Sequence, residues 1–204
     1  MNVLAILGSP RENGNSEILL NAILAGVKKS DCNTEIIRLS SLDINPCISC
    51  GGCDETGECV VEDDMTPLYS KIINADRILL SSPIFFYGVT AQTKAFIDRC
   101  QALWNRKRLL RKKGMWTDDP EKKGFFISVA ATKGAKVFDG AILCAKYGFD
   151  AMGFQYSGEF LFRGADKRGD MGKFADALRQ AEWAGKDFFA GKPVLINISA
   201  ADSP

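Results

Sequence analysis

The chain has 204 residues, 46% of them hydrophobic, and a formal net charge of +1, which suits one α/β domain with a substantial core and gives no electrostatic reason to expect nucleic acid or a membrane surface. It contains no histidine, which excludes Ser-His-Asp triads, His-ligated zinc and His proton shuttles. No apolar run approaches the ~20 residues needed to cross a bilayer, and Met1–Gly8 lacks a basic leader and a cleavage site, so it reads as a strand in a cytoplasmic protein.

In chain order, short β-branched runs alternate with amphipathic stretches, the pattern of a parallel sheet covered by helices on both faces. Asn2–Leu7 is the first strand. Asn15 or Ser16 caps a helix whose apolar positions Leu19, Ala22, Ile23 and Val27 recur at helical spacing. Thr34–Leu39 is the second strand, followed by a cysteine-rich loop and a helix from about Asp63 to Asn74. Glu62, Asp63 and Asp64 sit at the start of that helix, where its dipole favours negative charge. Arg77–Ser81 is the third strand, and one long helix is expected from beyond Gly88 to Trp104. Asn105–Lys123 breaks the rhythm with a basic run, Arg106–Lys113. Gly124–Ala131 is the fourth strand, followed by a helix from about Ala135 to Met152. Phe154–Phe162 holds the fifth strand and Met171–Phe189 the last helix. The tail, 192–204, has a strand-like centre (VLINI) that can pack on its own subunit or on a neighbour, and nothing marks a second domain.

In a doubly wound sheet, ligands bind beyond the carboxyl ends of the strands at the topological switch point. Three loops should meet there: Ser9–Ser16, Pro83–Gly88 and Thr132–Gly134. The first joins a strand directly to a helix, whose free amides and partial positive charge attract a phosphate monoester. Ser9, Asn15 and Ser16 can add side-chain hydrogen bonds, Arg11 supplies charge, and Gly8 and Gly14 let the backbone turn around the anion. No Gly-Lys-Ser/Thr and no Gly-x-Gly-x-x-Gly is present, which argues against ATP and against a Rossmann-type dinucleotide site here.

Gly8-Ser9-Pro10-Arg11-x-x-Gly14-Asn15-Ser16 resembles the phosphate loop of the NADPH-dependent FMN reductase group of flavodoxin-like proteins. Ser81–Gly88 is similar to the group's Ser-Pro-x-Tyr loop, and Lys94-x-Phe96-x-Asp98-Arg99 to a helix motif that follows it. The resemblance covers most of 1–191. It implies FMN, a three-layer flavodoxin-like fold with a five-stranded parallel sheet in the order 2-1-3-4-5, and a homodimer or homotetramer. On this basis 1–191 is expected to be the FMN-binding domain. Pro83, Ile84, Phe85, Phe86, Tyr87 and Gly88 would offer the isoalloxazine an apolar slot, although the usual tyrosine is Phe85 here. Thr132 and the Gly134 amide would reach the flavin edge, and Lys133 would face negative charge on reduced flavin.

Four of the seven cysteines, Cys47, Cys50, Cys53 and Cys59, fall within the loop 43–62. Clustered cysteines in a chain read as cytosolic favour metal or redox use over disulfides. Cys-x2-Cys-x2-Cys-x5-Cys can converge on one [4Fe–4S] cluster, whereas structural zinc usually takes two separated pairs. The arrangement is similar to that of the iron-sulfur flavoproteins, as are Phe138–Leu143 and Phe162–Asp166. That resemblance implies electron transfer between a donor, NAD(P)H or ferredoxin, and an acceptor; the charge of Arg106–Lys113 suits a dock for acidic ferredoxin, a solvated helix end or an oligomer contact. A cluster-free NAD(P)H-dependent FMN or quinone reductase, an electron carrier without its own substrate, and a zinc-stapled binding module stay open. Cys32, Cys100 and Cys144 read as small hydrophobes.

Overall fold

The computed structural model describes residues 1–27 and 32–200. Six parallel strands form one sheet in the order β2-β1-β3-β4-β5-β6: Asn2–Leu7 (β1), Asn33–Arg38 (β2), Arg77–Pro83 (β3), Lys123–Ala130 (β4), Gln155–Arg163 (β5) and Val194–Ser199 (β6). The helices are Asn15–Ala25 (α1), Thr66–Asn74 (α2), Ala91–Arg99 (α3), Gln101–Lys112 (α4), Asp139–Met152 (α5) and Ala175–Phe189 (α6). Among the described residues no helix is long and apolar enough to cross a membrane.

Both faces of the central strands are buried, so they read as nearly continuous apolar runs. Alternate residues serve different cores. Leu4 and Ile6 of β1 pack with Ile72, Phe96 and Phe149 under α2, α3 and α5. Val3, Ala5 and Leu7 pack with Leu20, Ile23 and Phe188 under α1 and α6. This gives three layers, with β1 and β3 adjacent at the centre and the chain leaving them in opposite directions. The connections that leave their carboxyl ends therefore part, which opens the switch-point crevice.

The five-stranded expectation is corrected by β6. It runs parallel to β5 in register from Gly158↔Val194 to Arg163↔Ser199, so the tail closes the sheet of its own chain. Residues 201–204 of the expected tail lie outside the described residues. The single long helix expected after Gly88 is two, α3 and α4, meeting at Cys100, and α4 continues through the basic run to Lys112. Three helices begin later than their apolar periodicity suggests, at Thr66, Asp139 and Ala175. The last follows a 3-10 turn at Asp170–Lys173.

Candidate functional site

The loop between β1 and α1 forms one wall of a cleft of about 150 Å³ at the carboxyl edge of the sheet. Ser9, Arg11, Gly14, Asn15 and Ser16 all line it, as do Pro83 at the end of β3, Ile84 and Phe85 just beyond it, Val129 of β4 and Ala131 just after β4. The loop is anchored from behind. The Gly8 amide donates to the Ser81 carbonyl at 2.7 Å, Ser81 Oγ donates to the Ser16 carbonyl at 3.0 Å, and Thr90 Oγ1 donates to the Gly8 carbonyl at 2.7 Å. Helix α1 has Gly14 at its N-cap and no side-chain cap; the Gly14 carbonyl takes the Glu17 amide at 3.1 Å, and Gly14, Asn15 and Ser16 at this helix start line the cleft.

Two serines behave differently there. Ser9 Oγ accepts from the Arg11 amide at 3.2 Å and shapes the turn. Ser16 Oγ is buried, with the residue 1% exposed, yet among the described residues it has no hydrogen-bond partner. A buried hydroxyl left unpaired costs about 1–3 kcal/mol, and this atom is free to meet a ligand in the cleft that Ser16 lines. Ser16→Ala is therefore expected to act with opposite signs in two measurements. Urea unfolding of the ligand-free protein should show stability unchanged or raised, by up to about 1 kcal/mol. Affinity for a phosphate-bearing ligand should fall about tenfold.

Asn15 has a structural task. Its Nδ2 donates to the Lys167 carbonyl at 3.0 Å, and its Oδ1 accepts from the Met171 amide at 3.0 Å. Both ends of the amide are thus spent on the β5–α6 connection, which contributes Ala165, Asp166 and Arg168 to the cleft. The sequence reading gave that connection no role in the site.

Phe86 and Tyr87 form a two-residue turn closed by reciprocal bonds between Phe85 and Gly88, at 2.9 and 3.0 Å. Both sit at positive φ (49° and 63°), the region usual for Asn-Gly and costly for bulky side chains. Phe86 is fully exposed (104%). Strain of this kind, ~1–3 kcal/mol per residue, collects at ligand-contacting loops. Gly88 closes the turn rather than meeting a close neighbour. Thr132, Lys133 and Gly134 follow Ala131 at the same edge; the first two are exposed, and Gly134 lies beneath the Tyr87 hydroxyl.

All four loop cysteines, Cys47, Cys50, Cys53 and Cys59, line a second cavity of about 490 Å³, with Asp98, Arg99 and Gln101 on its far wall. Cys47 and Cys50 are exposed, while Cys53 and Cys59 are half-buried. Among the described residues no three Cys, Asp or Glu side chains converge closely enough for a single metal ion. The loop is held at both ends by Arg99, which is 1% exposed. Its guanidinium forks onto the Asp63 carboxylate at 2.6 and 3.1 Å and donates to the carbonyls of Asn45 and Val61 at 2.9 Å each. Burial alone would raise the Asp63 pKa. The Arg99 hydrogen bond, the amides of Asn45 and Met65 and the Arg99 charge outweigh it and hold that pKa at about 2. The Tyr69 hydroxyl donates to the Arg99 carbonyl at 3.0 Å, and burial, followed by the neighbouring Cys59 sulfur, pushes its pKa up. Asn105, buried on α4, donates to Cys53 Sγ at 3.2 Å and to Asp54 Oδ1 at 2.9 Å. Gly57, at φ +74°, rests on the Arg106 backbone, where a side chain would collide.

The basic run is partly consumed by the fold. Lys107 is buried against Asp150, Arg108 donates to the Asp54 carbonyl, and Arg111 pairs with Asp118. Burial raises the thiol pKa of Cys100 and of Cys144, which makes both poor nucleophiles.

These features define a flavodoxin-like α/β protein with a cleft at its switch point, walled by the β1–α1 loop. Residues 1–137 match the NADPH-dependent FMN reductase family, and the chain belongs to it. An iron-sulfur flavoprotein of Methanocaldococcus jannaschii is 41% identical over 103 residues, 50% of this chain and 53% of that protein. One from Archaeoglobus fulgidus is 41% identical over 114 residues, 56% of this chain and 52% of that protein. The chain thus spans about half the length of the curated relatives it matches. In fold it is similar to an NAD(P)H:quinone oxidoreductase from Methanothermobacter marburgensis, with TM-score 0.66 and 16% identity over 92% of this chain and 96% of that one.

Proposed function

We propose that the protein is an FMN-dependent oxidoreductase that takes electrons from a nicotinamide or a ferredoxin and passes them on through a [4Fe–4S] cluster. The observation that carries the flavin half is Ser16 Oγ: a buried, unpaired hydroxyl at an uncapped helix N-terminus, in a cleft whose other wall is Pro83–Phe85. An FMN phosphate would be held by the α1 amides, Ser16 and Arg11. Ile84, Phe85 and the strained Phe86-Tyr87 turn would cover the ring system, with Thr132, Lys133 and the Gly134 amide at its polar edge. When bound, FMN supplies the exchange between hydride and single-electron chemistry. The chain's part is to orient the ring, keep one face open and exclude water from the other, tasks that need no histidine.

The cluster half is supported by the donor set. Four soft thiols line one cavity, and thiolates from a single short loop are the usual ligands of an iron–sulfur cluster. Cys47, Cys50, Cys53 and Cys59 would be its ligands, and the relatives named iron-sulfur flavoproteins agree with this. A second copy of the chain fits the apolar residues Trp104, Leu143 and Tyr147, which are exposed along α4 and α5.

Absorbance of anaerobically purified protein, with iron and sulfide assays, tests both halves. Flavin bands plus broad ~400 nm absorption and about four irons per chain are the expected result. Flavin without iron after anaerobic reconstitution leaves the cluster-free reductase. The absence of both after incubation with FMN overturns the proposal. Bleaching by NADPH separates a nicotinamide-linked enzyme from a carrier.

A further inference from the structure

The β5–α6 connection is fastened to the phosphate loop by three hydrogen bonds. Two come from Asn15, to the Lys167 carbonyl and from the Met171 amide, and the third runs from Arg11 Nη1 to the Asp166 carbonyl at 3.4 Å. The connection is therefore a wall of the cleft. It brings Arg168 to the same opening as Arg11 and the unpaired Ser16 Oγ. Arg168 is exposed, and its guanidinium has no hydrogen bond or ion pair among the described residues. Lys173, five residues further on, is engaged with Asp170.

A phosphate monoester carries about −1.5 to −2 charges at pH 7. Arg11 and the helix dipole leave part of that uncompensated, and the Asp166 carboxylate, at the same opening, opposes binding. We propose that Arg168 is a second guanidinium ligand of the bound phosphate, delivered by the β5–α6 connection, and that Asn15 acts as the positioning residue that holds this connection in place. The site then selects flavins that carry a terminal phosphate over riboflavin. The choice of ligand rests on the FMN reading above; the anion site itself does not.

The test compares FMN with riboflavin, binding each to apoprotein and measuring affinity by flavin fluorescence quenching. Arg168→Ala is expected to weaken FMN roughly ten- to a hundredfold, the range of one charge-assisted hydrogen bond, and to leave riboflavin unmoved. Arg168→Lys should recover part of the loss. Equal losses for FMN and riboflavin would reduce Arg168 to a structural role and overturn the proposal, as would no change in either. If the wild-type protein binds neither flavin, inorganic phosphate followed by phosphorus NMR decides the matter. Phosphate binding that disappears in Arg168→Ala keeps the anion site while the flavin reading falls. No phosphate binding removes both.

Discussion

Replacing Arg99 with leucine is expected to cost about 3–5 kcal/mol of unfolding free energy, the range for removing one partner of a buried ion pair. Urea unfolding would measure it directly, and a thermal midpoint lowered by about 10 °C would accompany it in a domain of this size. The size follows from what is left behind. The Asp63 carboxylate, 5% exposed, would lose its counter-charge, and the carbonyls of Asn45 and Val61 would lose their donors. A double variant, Arg99→Leu with Asp63→Asn, should recover at least about 1 kcal/mol by removing the stranded charge. Arg99→Lys should recover little, because an ammonium cannot fork onto a carboxylate and reach two carbonyls in one plane. A loss under about 1 kcal/mol for Arg99→Leu would mean that the pair does not close the cysteine loop.

The same pair sets a pH dependence of definite sign. Asp63 falls from the ordinary 3.8 to about 2 in the folded protein. Its contribution to stability is therefore fully present above about pH 4 and is lost as pH falls through about 2. The difference between wild type and Arg99→Leu should shrink as pH falls, beginning where the stranded Asp63 carboxylate of the variant, freed of Arg99, takes up its proton. A difference that grew on acidification would contradict the assignment.

Arg99 also marks the boundary of what the sequence makes legible. The phosphate loop can be read because strand, turn and helix follow one another within a few residues, and the chemistry of a helix N-terminus is local. Arg99 reads only as the end of a helix motif, since its partner lies 36 residues away across the sheet connection. Asp63 is misread for the same reason: an acid at a helix start satisfies the dipole argument, and only the fold reveals the guanidinium. Asn15 is the converse. Its position in the loop points to the ligand, but its amide is committed to backbone 152 and 156 residues further on. The break between α3 and α4 at Cys100 has neither glycine nor proline to announce it. The alternation in Val194–Ser199 identifies a strand, but its pairing with β5 depends on α6 returning it to the sheet edge.

The second large effect concerns Asn105 and depends on the proposed cluster. Its side-chain amide donates to Cys53 Sγ at 3.2 Å, whereas Cys47 and Cys50 are exposed. An N–H aimed at a ligating sulfur stabilises the more negative, reduced state more than the oxidised one, so it raises the reduction potential. Asn105→Leu removes that donor at similar volume and also releases Asp54, whose carboxylate the same amide holds at 2.9 Å. Both changes favour the oxidised state. The midpoint potential of the reconstituted protein should therefore become more negative by about 60 mV, equivalent to a tenfold shift in a one-electron equilibrium. Iron content should stay unchanged, because none of the four thiols is removed. Cys53→Ser, by contrast, should lose most of the iron, which separates a ligand from the residue that tunes it. An unshifted potential in an Asn105→Leu protein with its full complement of iron would show that the bond to Cys53 plays no electronic part.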